Sequence, residues 1–224
     1  TYRQHPMMMA QQALTVSQAS GGRLSLGIGL SHQVVVEGMW GLSYDKPLRH
    51  MTEFLDVLMP LLKGDAANAE GETITGRGEL GIPAEEPSVV LAALGPKMLE
   101  LAGTVADGTT TWMVGPATIA SHTSPSIQAA AEAAGREPAR VVVALPTVVT
   151  DDPAGARERA AKEFEIYGHL PSYRAMLDRE GAAGPEDVAV IGSADEVAER
   201  VSAIFDAGAS TFVAAEFGSS DDVL

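Results

Sequence analysis

Cysteine is absent from the 224 residues, which excludes disulfides, thiolate metal ligands and a cysteine nucleophile. A chain without disulfides suits a reducing compartment, and a cytoplasmic location is expected. Aromatic residues are scarce at 5%, yet the hydrophobic fraction is 46%. The core must therefore be built from Ala, Val, Leu, Ile and Met, as suits helices packed on a parallel sheet. No apolar run is long enough to span a bilayer. The N-terminus has no basic start followed by an apolar segment, so no signal peptide is read there. Positive charge is also short: 15 Lys and Arg face 30 Asp and Glu, a net charge of -15. So acidic a surface repels nucleic acid and anionic membranes, and neither is expected as a partner. The deficit is uneven, because residues 1–50 carry four cations against Glu37 and Asp45, which leaves -17 on the rest. The five histidines form no i, i+4 pair and no paired acids accompany them, so no metal site is expected. An initiator methionine is missing too, and the chain opens at Thr1 as if in mid-protein.

What is present reads as one domain of alternating helices and strands over residues 1–224. Pro6 to Ser20 has helical spacing at Met7, Met8, Ala10, Leu14 and Val16, and Gly21-Gly22 should stop it. Arg49 to Leu62 is a second amphipathic helix with Phe54, Leu55, Leu58 and Leu61 on its inner face. Residues 31–46 read as a loop with a short apolar turn at Val34 to Val36. Gly64 to Pro87 is an excursion with weak alternation near Glu72 to Ile74, suited to a small hairpin. Apolar strands are expected near residues 24–29, 88–93, 109–114, 140–149 and 210–215. Helices are expected between them: from Gly95-Pro96 to Ala106, from Gly115-Pro116 to Ala134, from Asp152-Pro153 to about Glu180 with a break near Gly168 to Pro171, and from Ala194 to Ala207. Long connections and non-alternating strands predict a parallel sheet buried on both faces. Five strands fit an open sheet or a barrel. Small residues ending several strands favour the barrel, and Gly27-Ile28-Gly29 lacks the third glycine of a dinucleotide fingerprint, since position 32 is His.

An ordered set of motifs then points to one family. Arg23-Leu24-Ser25-Leu26-Gly27-Ile28-Gly29-Leu30-Ser31-His32 resembles the fourth barrel strand and following loop of the bacterial luciferase-like superfamily. Arg3-Gln4-His5-Pro6 resembles the segment after its third strand, and Ala92-Ala93-Leu94-Gly95-Pro96-Lys97 its fifth strand and phosphate-gripping turn. Ala106-Asp107-Gly108-Thr109 and Asp206-Ala207-Gly208-Ala209-Ser210 are similar to the approaches to strands six and eight. Tyr167-Gly168-His169-Leu170-Pro171-Ser172-Tyr173-Arg174 looks like a motif of actinobacterial members that use coenzyme F420, a deazaflavin. The resemblance implies a (β/α)8 TIM barrel represented here by strands 4–8, with three N-terminal βα units missing, the third of which supplies a backbone bulge against the cofactor ring. It implies an oxidoreductase transferring a hydride between F420 and a small organic substrate, and a homodimer. FMN in a luciferase-like monooxygenase is the alternative, and a non-catalytic flavin- or deazaflavin-binding protein a further one.

Candidate site residues follow from both sources. At Gly95-Pro96 the chain passes from strand to helix, where backbone N–H groups and the helix dipole favour an anion and Lys97 adds charge; a plain turn is the alternative. The resemblance makes Ala93, Leu94, Gly95, Pro96 and Lys97 the cradle of the cofactor phosphate. Gly29, Leu30 and Ser31 follow a strand, where barrel enzymes keep their sites, and are expected against the ring. His32 is the candidate for proton transfer, with a structural role as its rival. His5 and Trp40 are expected toward the substrate, and Trp112 toward the cofactor, although either tryptophan also suits a core. His50, His122 and His169 read as surface or structural residues, and Ser193 with Glu196 as a capping box.

Overall fold

The computed structural model describes residues 1–218. The chain divides into two compact units, one of Thr1–Ala92 with Val105–Asp107 and one of Ala93–Thr104 with the chain from Gly108 onward.

The first unit is built around two helices and a parallel strand pair. Helix α1 (Pro6–Ser20) starts with Pro6, whose missing N–H costs nothing there, and ends at Gly21 in the left-handed region. Its buried face is Pro6, Ala10, Ala13, Leu14 and Ser17, whereas Met8 and Val16, read as part of the same helical spacing, point outward and are about half exposed. After strand β1 (Ser25–Ile28) comes a short helix α2 (Gln33–Gly38), where sequence suggests only an apolar turn. Helix α3 (Pro47–Leu62) buries Met51, Phe54, Leu55, Val57, Leu58, Leu61 and Leu62 almost completely. At about 1.5–3 kcal/mol for each large side chain, this face is the main source of cohesion in the unit. It packs on α1 and on the hairpin of β2 (Ala67–Glu70) and β3 (Thr75–Gly78), which is the expected excursion. Strand β4 (Ser88–Ala92) pairs parallel to β1.

The second unit begins with helix α4 (Pro96–Val105) and centres on β6 (Arg140–Val149). Parallel to β6 run β5 (Gly108–Trp112), β7 (Val190–Gly192) and β8 (Thr211–Glu216). The helix after β5 is one run in three pieces: α5 (Pro116–Thr118), a π-turn at Ile119–Thr123, and α6 (Ser124–Ala133). The stretch from Pro153 to Glu180 breaks twice, into α7 (Pro153–Glu163), α8 (Glu165–His169) and α9 (Pro171–Glu180). A short α10 (Pro185–Val188) and β7 were not legible in the sequence, since four and three residues are too few to show a period. Helix α11 (Ala194–Asp206) opens with the expected reciprocal Ser193–Glu196 capping box.

All five expected strands are present and their pairings are parallel. Burial on both faces holds less widely than expected. Val89, Val90 and Leu91 of β4 and Val141, Val143 and Leu145 of β6 are buried, but Ser25 and Gly27 of β1 and Val213 and Ala214 of β8 are exposed. Gly108 is fixed by close approach: a Cβ there would lie 2.2 Å from the Arg140 carbonyl oxygen of the adjacent strand. Among the described residues no helix is long and apolar enough to cross a membrane.

Candidate functional site

The segment after β1 is held by two bonds from within its own unit. The Thr1 backbone nitrogen donates to the Gly29 carbonyl at 3.0 Å, and the Tyr44 hydroxyl donates to the Ser31 carbonyl at 3.2 Å. Ser31 has φ +61°, a conformation that a side-chain-bearing residue adopts only when its surroundings enforce it. A Cβ on Gly29 would stand 3.0 Å from the Ala92 side chain, so glycine lets β1 and the end of β4 lie close. Leu30 is half-buried. His32 is the N-cap residue of α2, and burial pushes its imidazole below the ordinary 6.5, so it is neutral at pH 7.

His5 and Trp40 have other engagements. Nδ1 of His5 accepts from the Met7 N–H at the start of α1, so its other nitrogen carries the proton and donates to the Thr75 carbonyl at 3.0 Å. His5 thus ties α1 to the β2–β3 hairpin. One face of Trp40 is covered by the Arg3 guanidinium, 4.4 Å from the ring centre.

A cavity of about 500 Å³ lies in the same unit, lined by Tyr2, Leu42, Ser43, Asp45, Lys46, His50, Glu72 and Thr73. Its wall is a stacked pair, Tyr2 on His50, with ring centres 4.2 Å apart and planes 4° from parallel. Glu53 organises the floor. Its carboxylate accepts from the N–H groups of Glu72, Thr73 and Ile74 and from the Thr73 hydroxyl. Partial desolvation pushes the Glu53 carboxyl up, but the four donors outweigh it and hold the group at about 2. Glu72 in turn pairs with Lys46 and Arg49. Burial pushes the His50 imidazole down against the opposing pull of Glu53. Burial also raises the Tyr2 phenol to about 12, helped by Tyr44, Asp45 and Glu37, so it stays protonated.

In the second unit, Ala93 to Lys97 lead into α4. Ala93 is buried, Leu94 half-buried, and Gly95, Pro96 and Lys97 exposed. The N–H groups of Met98 and Leu99 both bond back to the Gly95 carbonyl, which makes Gly95 the cap of the helix. The space beside Gly95 is open, with nothing within 4 Å of where a Cβ would be. Buried His122, in the π-turn, donates from Nε2 to the Leu94 carbonyl at 2.8 Å and so fixes the turn from behind. The next helix start differs. At α5 the N–H groups of Ala117 and Thr118 are taken by the Glu180 carboxylate at 3.1 and 2.7 Å.

Trp112 ends β5, and the following Met113 has φ +57° although fully buried. Edge-to-face contacts at 5.9 Å join the Trp112 ring to Phe164 and to Tyr167, and Tyr167 meets Tyr173 at 4.9 Å. The Tyr167–Arg174 motif is therefore an aromatic bracket around Trp112. Arg174 closes it by donating to the carbonyls of Ala182 and Ala183 and to Asp178. His169 is exposed, 3.8 Å from Glu165.

Sequence reasoning passed over Tyr2, Glu53 and Thr73, and grouped His50 with surface or structural histidines. A signal was available for His50: it lies one helical turn before Phe54 and two before Leu58, on the apolar stripe of α3. Glu53 gave none, because its partners are backbone N–H groups twenty residues away in sequence. Among the described residues there is no group of three or more His, Cys, Asp or Glu arranged to hold a metal.

Comparison with known proteins agrees with this architecture. A family model described as luciferase-like monooxygenase matches residues 1–211. The chain is 30% identical over 166 residues to a 5,10-methylenetetrahydromethanopterin reductase of Methanolobus tindarius, a match that covers 74% of this chain and 50% of that protein. The chain spans about half the length, or less, of the curated relatives first matched. An F420-dependent secondary alcohol dehydrogenase in complex with an F420–acetone adduct superposes with a TM-score of 0.80 at 21% identity, covering 96% of this chain and 70% of that one. The oxygenating constituent of 3,6-diketocamphane monooxygenase of Pseudomonas putida, with FMN, superposes with a TM-score of 0.70 at 21% identity, covering 96% and 70%. The expected fold class, the parallel α/β barrel type of these enzymes, is the observed one. By its family match and its strand–helix order, the chain belongs to the luciferase-like monooxygenase family.

Proposed function

We propose that this chain serves hydride transfer between the deazaflavin coenzyme F420 and a small organic substrate. The observation that carries the reading is the start of α4: of the two helices that follow β4 and β5, one has its first N–H groups filled by Glu180, while the other is exposed, open beside Gly95 and flanked by Lys97. An exposed helix start with a lysine fits an anionic cofactor tail. The residues present therefore fit the phosphate end of F420, with Gly95, Pro96 and Lys97 as its holders and Ala93 and Leu94 as their support. When bound, the deazaflavin supplies the hydride chemistry. Gly29, Leu30 and Ser31 offer backbone to a flat ring, with Ser31 held in place by Tyr44, and Trp112 offers a rigid edge. Burial keeps His32 in its neutral form, the form a proton acceptor needs.

The likeness to an FMN-containing monooxygenase supports FMN as a second reading. Titration of the protein with F420 and with FMN, followed by fluorescence, decides between them. Micromolar binding of F420 with weaker binding of FMN is expected, and binding of neither overturns the redox reading. A cytoplasmic homodimer acting on a small molecule, without nucleic acid or membrane, completes the proposal. Light scattering of the eluted protein checks the dimer.

A further inference from the structure

We propose that a smaller cavity, in the unit centred on β6, is a binding site for a small monocarboxylate with a short apolar body, anchored by the Arg200 guanidinium. The cavity holds about 170 Å³. Leu145 of β6, Val190 of β7 and Ile204 of α11, each almost completely buried, form its apolar walls, and its charged residues are Arg200, Glu180 and Asp187. None of them is among the residues assigned to the cofactor or the substrate, and the site does not depend on the redox reading.

The cation of this cavity lacks an anion. Arg200 precedes Ala203 and Ile204 by about one turn of α11, so the three share one face of the helix and line the same space. Arg200 is half-buried. Its guanidinium donates to the carbonyls of Ile191 and Asp187 at 3.5 and 3.4 Å, both long for such bonds. Among the described residues no carboxylate forms an ion pair with it. Burial, then the like charge of Arg157, push the group below its ordinary range, and Glu196 opposes them. Two long bonds leave most of a five-donor fork open. A guanidinium partly withdrawn from water without a carboxylate is unfavourable, and an anion in the cavity removes that cost.

The surrounding acids are already engaged. Glu180 accepts from the N–H groups of Ala117 and Thr118, and Glu196 from the N–H and hydroxyl of Ser193. Asp187 accepts from the N–H groups of Ala183 and Gly184 and from Arg157. Each of the three holds a helix start, at α5, α11 and α10, and none can turn to Arg200 without giving up that cap. The walls then select the ligand. A carboxylate meets the planar fork with two parallel bonds. Glu180 and Asp187 in the lining oppose a second negative charge, which disfavours phosphate and dicarboxylates. The volume and the apolar walls admit a body the size of a benzene ring or a branched alkyl group.

The test titrates the full chain, without F420, with benzoate, with its neutral isostere benzamide and with inorganic phosphate, followed by saturation-transfer NMR. Benzoate should bind saturably with a dissociation constant below about 10 mM. Benzamide and phosphate should bind at least about 10-fold more weakly. Arg200→Gln should weaken benzoate about 10- to 100-fold, the range of hydrogen bonds to a charged group. Ala203→Leu, at an exposed position of α11 that lines the cavity, should narrow it and weaken benzoate without lowering the melting temperature. Absence of saturable benzoate binding, equal affinity for benzoate and benzamide, tighter binding of phosphate, or a benzoate affinity unchanged in either variant overturns the proposal. The comparison of the three probes uses the unsubstituted protein, so a poorly folding variant leaves the test intact. Because F420 is absent, failure here is separate from failure of F420 to bind.

Discussion

Replacing Glu53 by Gln is the most direct test of how the first unit is held together. The carboxylate gathers three backbone N–H groups and a hydroxyl at the β2–β3 turn, at distances from 2.7 to 3.1 Å. Its carboxyl sits at about 2 against an ordinary 4.5. At about 1.36 kcal/mol per pH unit the gap has an upper bound of roughly 3.4 kcal/mol. The side chain is partly open to water, and screening reduces this to about 1–2 kcal/mol. The sign follows from which state takes up the proton first. Above about pH 4.5 the carboxylate is ionised in both states and its full contribution is present. As pH falls below that value the unfolded chain is protonated first, and the contribution drains away until about pH 2. Urea unfolding of the parent and of Glu53→Gln at a series of pH values should give a stability difference of about 1–2 kcal/mol at neutrality that shrinks toward zero in acid. A difference below about 0.3 kcal/mol at neutrality, or one that does not change with pH, refutes the reasoning.

Gly108→Ala should destabilise by about 1–3 kcal/mol or more, because the new Cβ would press on the Arg140 carbonyl and no flexible group is there to yield; an unchanged melting temperature would contradict this. Glu180→Ala should cost about 0.5–2 kcal/mol by uncapping α5, measured by denaturant unfolding, while leaving F420 affinity unchanged. Lys97→Ala should raise the F420 dissociation constant about 3- to 10-fold at low salt, and the effect should fade as ionic strength rises. An effect independent of salt would remove Lys97 from the anion site.

The strands and long helices were legible because their signals are local. Pro6, Pro96, Pro116 and Pro153 mark helix starts, and the apolar runs at Val89 to Leu91 and Val141 to Val143 are dense enough to be read as strands. The π-turn at Ile119–Thr123 was hidden, since a single widened turn keeps the helical period nearly intact. The candidate positions after β1 and β4 were read from glycine and from family likeness. The use of the side chains was not. His5 and Trp40, assigned toward substrate by their place in the chain, meet Thr75 and Arg3, partners that no local pattern announces. The Glu53–Thr73–His50 chain joins a helix to a hairpin turn, and its logic lies in which atom holds each proton.

Strand β6 has a consequence for how the second unit is made. Val142, Val143 and Ala144 pair with β5 on one edge and with β8 on the other. The β5 pairing closes within about thirty residues, whereas the β8 pairing waits for residues 211–216, some seventy positions later. During synthesis the second edge of β6 therefore emerges early and remains a bare ladder of N–H and C=O groups until residues 211–216 have been made. Such an edge is a template for wrong strands, and closing so long a loop is slow. Refolding yield, more than final stability, should therefore be what substitutions in β8 change.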